Sequence, residues 1–105
     1  MTTTMSKHLC QERTDRAVFI LTTLGMGEPV LMRQSEVKAD ITLVLTSTGV
    51  IMIRNNNTGK IITMYYATIK EATWVAGGRM PDSVYNRIVK NVKAGYIKKQ
   101  NEIIF

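Results

Sequence analysis

Cysteine and histidine occur once each in this chain, as Cys10 and His8, and tryptophan once, as Trp74. A single cysteine excludes an intramolecular disulfide, and one cysteine with one histidine is too few for a Cys/His zinc cage within one chain. The eight Asp and Glu are scattered, with none of the ligand spacing of an EF-hand loop, so no metal or cofactor is expected. Long apolar runs are missing as well. Nothing approaches the roughly 18 residues of a membrane span, and the opening "MTTTMSKHLCQERTDR" lacks the apolar stretch of a secretory signal. The expectation is a cytoplasmic protein with no membrane partner. Proline occurs twice, and no repeat, linker or low-complexity tract is visible, so the 105 residues read as one domain, 1–105, long enough to bury a core without staples.

Positive charge, by contrast, is plentiful. Fourteen Lys and Arg against eight Asp and Glu give a formal net charge of +6. Such a surface attracts polyanions through phosphate contacts and counterion release, which makes RNA or another nucleic acid the first partner to consider. The plainer alternative is a basic surface that serves solubility alone.

Periodicity organises the chain into three parts. From about Ser6 to Leu24, residues Leu9, Cys10, Ala17, Ile20, Leu21 and Leu24 recur at helical spacing, with Ser6 as N-cap and Gly25 and Gly27 as the stop. After Pro29, the segment Val30 to Arg33 is extended. The β-branched runs Ile41 to Thr46, Val50 to Arg54 and Lys60 to Tyr66 then predict an antiparallel meander. Alternation sets Leu43, Leu45, Ile51, Ile53, Ile62, Met64 and Tyr66 on one face, against the helices, and Thr42, Val44, Thr46, Met52, Arg54, Thr63 and Tyr65 on the other. Ala67 to Trp74 reads as a short helix or a strand extension. A final helix follows Pro81 and Asp82, with Val84, Tyr85, Ile88, Val89, Val92 and Tyr96 as its apolar stripe and Gly95 as its cap. "YIKKQNEIIF" remains as a tail or an added short strand. The expected fold class is α+β: an N-terminal helix, an antiparallel three- to four-stranded β-meander, and a C-terminal helix packed on one sheet face, the same face that the first helix covers.

"NNNTGKIITMYYAT", Asn55 to Thr68, is the most legible stretch. Asn and Gly tolerate positive φ and asparagine side chains close local hydrogen bonds, so the segment is first a hairpin turn. It lacks the glycine spacing and following helix of a Walker loop. A helix carrying "SKHLCQERTDRAVFIL" before a hairpin "NTGKIITMYY" nevertheless resembles the barnase, colicin-type and RelE-like ribonuclease superfamily, including its small phage-encoded, toxin-like members. The resemblance spans His8 to Tyr66.

That resemblance implies metal-independent RNA cleavage, in which the neighbouring 2′-hydroxyl attacks phosphorus and the protein supplies proton transfer and charge stabilisation. Its catalytic candidates are His8, Arg16, Thr63 and Tyr65. His8 titrates nearest neutrality, while Arg16, Lys60 or Arg79 would hold phosphate oxygens and the hydroxyls of Thr63 and Tyr65 would orient ribose or phosphate. The plainer readings are a solvated histidine, and Thr and Tyr placed by β-propensity. A second histidine for a paired acid/base mechanism is missing, as is a basic-aromatic cluster at the C-terminus. Trp74 reads as a core plug, or as a base-stacking platform beside Arg79.

Arg87, Lys90, Lys93, Lys98 and Lys99 make the main electrostatic footprint, to which Lys60 and Arg79 add. Read without catalysis, the same basic helix describes a phage or prophage accessory module that binds nucleic acid or a protein partner. An antidote protein belongs with the first reading. A second copy of the chain, paired through Ile103, Ile104 and Phe105 or a sheet edge, is a further partner class.

Overall fold

The computed structural model describes residues 15–104. Helix α1 (15–23) leads into strands β1 (Pro29–Gln34), β2 (Ile41–Thr46), β3 (Val50–Asn55) and β4 (Ile61–Tyr66), followed by α2 (Ile69–Ala76), α3 (Asp82–Lys93) and α4 (Tyr96–Ile104). The strands form one antiparallel sheet in the order β1-β2-β3-β4. The expected α+β order is therefore present, with four strands. Among the described residues no helix is long and apolar enough to cross a membrane.

Both faces of the sheet are covered. Leu45 and Ile51 bury one face against Ala72 and Val75 of α2 and Val84 and Ile88 of α3. Val44, Val50, Met52 and Tyr66 bury the other against Phe19 and Ile20 of α1 and Tyr96 and Ile97 of α4. The expectation that α1 and α3 share a face is thus corrected: α3 does pack on one face, and α1 lies on the opposite one. The physical reason lies in β2 and β3, whose consecutive apolar residues leave neither face polar enough for water. Val44 and Met52, assigned outward by alternation, are accordingly buried.

Parity also differs along β4. Ile51 pairs with Tyr65, Met52 with Met64 and Ile53 with Thr63, while Arg54 pairs with Ile61 across a bulge. Directly paired residues share a face, so Thr63 and Tyr65 lie with Leu43, Leu45, Ile51 and Ile53, and Met64 and Tyr66 lie with Val44 and Met52. A one-residue change in hairpin register flips an entire strand.

The asparagine segment is a turn. Asn55 Oδ1 accepts from the backbone N–H of Asn57 at 2.8 Å and of Thr58 at 3.3 Å, and Gly59 N–H donates to the Asn55 carbonyl at 2.7 Å. Asn56 ties the turn to the β1–β2 connection: its N–H donates to the Asp40 carbonyl and its Oδ1 accepts from Thr42 Oγ1 at 2.7 Å.

The β2–β3 turn is closed by α3. Gly49 has φ +79°, and a Cβ there would stand 2.7 Å from Asn91 Nδ2 and 3.0 Å from Ile88 Cγ1. Fully buried Asn91 donates through that nitrogen to the Thr48 carbonyl at 2.9 Å and accepts from Arg87 Nε at 3.1 Å.

The C-terminal segment, expected as a tail or strand, is helix α4. Tyr96 stacks on Tyr66 with ring centroids 5.2 Å apart. One turn later, buried Gln100 accepts from Tyr66 N–H at 2.7 Å and donates to its carbonyl at 2.9 Å. Its amide occupies the edge of β4 as a neighbouring strand would, so a helix replaces the extra strand while satisfying the same groups.

Candidate functional site

β4 is an edge strand, so a side chain from one sheet face can pass around it to the other. Arg16 does this. It leaves α1, whose Ile20 is buried on the Tyr66 face, and its Nη2 donates to Thr63 Oγ1 at 2.7 Å on the opposite face. The guanidinium carbon lies 5.9 Å from the centroid of the Tyr65 ring. Three of the four expected catalytic residues, Arg16, Thr63 and Tyr65, therefore come together. The fourth, His8, lies outside the described residues.

Arg16 and Tyr65 line a cleft of about 420 Å³ with Thr68, Glu71, Gln100 and Asn101. Thr68 caps α2: its Oγ1 accepts from Glu71 N–H at 3.1 Å, and Glu71 Oε1 accepts from Thr68 N–H and Oγ1, both at 3.0 Å. This capping box holds a carboxylate at the wall of the cleft. Burial raises the Tyr65 phenol above its ordinary value, the Glu71 carboxylate adds to the shift, and Arg16 opposes it. The phenol is thus a neutral hydroxyl at physiological pH, able to donate a hydrogen bond and unsuited to act as a base.

Two further hollows adjoin the cleft. One, of about 530 Å³, shares Thr68, Ile97 and Asn101 with it and adds Lys98. The other, of about 430 Å³, shares Tyr65 and Glu71 and reaches Trp74 and Lys70. Together they make a groove running past the start of α2, with Lys98, Arg16 and Lys70 spaced along it.

The remaining basic candidates do not line the Arg16 cleft. Lys60 is exposed at the β3–β4 hairpin, and Lys90 and Lys93 are exposed on α3, as is Lys99 on α4. Arg79 is exposed and stands 3.7 Å from Asp82. Arg87 is half-buried and engaged with Asn91. Lys90 and Lys93 line none of these three hollows, although Val92 of the same helix lines the one that holds Lys98.

Sequence reasoning passed over Glu71, Gln100, Lys70 and Arg33. The Thr68-Ile-Lys-Glu71 spacing is a capping-box signature that marks both the start of α2 and the fixed carboxylate. Gln100 carries no comparable signal, since its role depends on β4. Trp74, read as a core plug, is 38% exposed, and the cation over its ring is Arg33, at 4.2 Å, where the sequence pointed to Arg79. Tyr85, assigned to the apolar stripe of α3, is also exposed, at 43%. Comparison with protein-family models, with curated proteins and with solved structures gives no match, so the site is read from its own geometry.

Proposed function

We propose that this chain is a small RNA-directed domain that draws single-stranded RNA along the groove beside β4 and cleaves it without a metal ion. The observation that carries this reading is the passage of Arg16 around the sheet edge to Thr63 and Tyr65. It places a permanent positive charge beside the Thr63 hydroxyl and over the Tyr65 ring, at the wall of the cleft that Arg16 and Tyr65 line, with Lys98 and Lys70 in the adjoining hollows.

In the reaction, the ribose 2′-hydroxyl loses its proton and attacks the adjacent phosphorus. The P–O2′ bond forms as the P–O5′ bond breaks, leaving a 2′,3′-cyclic phosphate and a 5′-hydroxyl that takes up a proton. Arg16 stabilises the charge that builds on the phosphoryl oxygens, and the neutral Tyr65 phenol donates a hydrogen bond. His8 has the intrinsic pKa for the proton transfers.

The test is incubation of end-labelled single-stranded RNA with the protein in EDTA. Cyclic-phosphate ends are expected, and Arg16→Ala should slow cleavage by about 10²–10³-fold, the effect of removing one charge-stabilising donor. Intact RNA, or an undiminished rate in that variant, overturns the proposal. The second reading is a module that binds nucleic acid without cleaving it. It is favoured by the exposed lysines of α3, Lys90 and Lys93, which stand outside the Arg16 cleft. Under it RNA survives, while affinity falls with salt and with charge reversal at Lys90 and Lys93.

A further inference from the structure

The cavity across Tyr65 from Arg16 has no part in the chemistry above. Its walls are Leu43 and Ile51 of the sheet, Val75 and Trp74 of α2, and the Tyr65 ring, with exposed Lys70 beside them. Packing alone would bury the chain's one tryptophan. Instead the indole is partly exposed and held in place. The Arg33 guanidinium sits over its ring, Arg33 Nη1 donates to the Trp74 carbonyl at 2.6 Å, and Nη2 pairs with Glu36 at 2.7 Å. A fixed, partly exposed aromatic facing a hollow is a preorganised surface for a flat ligand.

We infer that this cavity is a slot for one unpaired nucleobase of the RNA whose phosphate lies at Arg16, an inference that rests on the reading of the groove as an RNA site. Two aromatic walls, Tyr65 and Trp74, suit the π-face of a base, while Arg16 on one side and Lys70 on the other suit its phosphates. Tyr65 is shared: it lies beneath Arg16 and also closes the slot. The base and phosphate of one nucleotide therefore bracket this ring. A paired base cannot enter, so the substrate class is single-stranded RNA, selected by a base that must leave its stack.

The single tryptophan is its own reporter. Short 2′-O-methyl oligonucleotides, which lack the attacking hydroxyl, are titrated against an abasic strand of the same length and phosphate count while Trp74 emission is followed. The base-bearing strand should quench the emission and bind about 5- to 100-fold more tightly than the abasic one. Trp74→Ala, assayed by anisotropy of a labelled strand, should abolish that preference, bringing the base-bearing and abasic affinities together. Leu43→Phe, which fills the slot and keeps the reporter, should do the same, so the outcome does not depend on one variant folding. Equal affinity for the two strands with unchanged emission overturns the slot and leaves the RNA reading standing. Binding of neither strand overturns both.

Discussion

Gln100 offers the sharpest energetic test of how this fold is closed. In β4 the N–H and C=O of Tyr66 point away from β3, and the ladder continues from the next residue, where Ala67 N–H donates to the Gly49 carbonyl. The Tyr66 groups bond the Gln100 side chain, which is 4% exposed. Gln100→Leu keeps the volume and removes both partners. Each unsatisfied buried backbone group costs about 1–3 kcal/mol, or ~2–6 kcal/mol for the pair. Burying leucine hydrocarbon returns about 1–2 kcal/mol, which leaves a net loss of about 0–5 kcal/mol, with about 2–3 kcal/mol at the centre of the two ranges. A domain of this size has about 5–15 kcal/mol of stability in all, and one kcal/mol moves the midpoint by about 4–8 °C.

The expected result is therefore a fall in Tm of about 5–30 °C by far-UV circular dichroism, with faster amide exchange at Tyr66. Gln100→Glu separates hydrogen bonding from packing. Protonated, it keeps both an acceptor and a donor. Ionised, it sets a buried carboxylate against the Tyr66 carbonyl. Burial raises its folded pKa above the unfolded value of about 4.3, so the folded state binds the extra proton. The variant should match the parent protein below that unfolded value and lose stability as pH rises through the folded one. A Tm within about 2 °C of the parent for Gln100→Leu, or a pH-independent deficit for Gln100→Glu, would refute the edge-sealing role.

Asn91→Ala leaves the Thr48 carbonyl and Arg87 without their buried partner and should cost about 1–3 kcal/mol in urea denaturation; Gly49→Ala should destabilise through both its positive φ and its contact with Asn91. A parental midpoint in both variants would show that α3 does not depend on this turn. Tyr65 and Tyr66 have folded pKa values raised above 10.0, chiefly by burial, so they favour the neutral form in the fold. Their contribution to stability is whole below the unfolded value near 10 and is lost as pH rises through the folded values. Arg16→Leu removes the charge that opposes the Tyr65 shift, so the Tyr65 ring-carbon NMR titration should move to still higher pH. An unchanged titration would detach Arg16 from Tyr65.

Local chemistry wrote much of this molecule into its sequence. "ITLVLT" and "VIMI" are strands because β-branched residues crowd a helix and pack well on a pleated surface. The asparagine-rich segment turns because Asn55 can hydrogen-bond the two backbone groups that follow it, and α3 is legible from the spacing of Val84, Ile88 and their neighbours. None of this needs a partner distant in the chain. Other features do. Alternation in β2 and β3 predicts one covered face, whereas Val44 and Met52 are buried on a second one, and which helix covers which face depends on packing. Thr63 and Tyr65 sit on the Ile51 face because of a bulge that no alternation pattern reveals. Segment 96–104 is helical because Tyr96 and Gln100 meet Tyr66, thirty-four residues before Gln100. The candidate site has the same character. Arg16, Thr63 and Tyr65 were recognisable as residue types, yet only an edge strand lets a guanidinium from one face reach hydroxyls on the other, and long-range register alone decides where that edge lies.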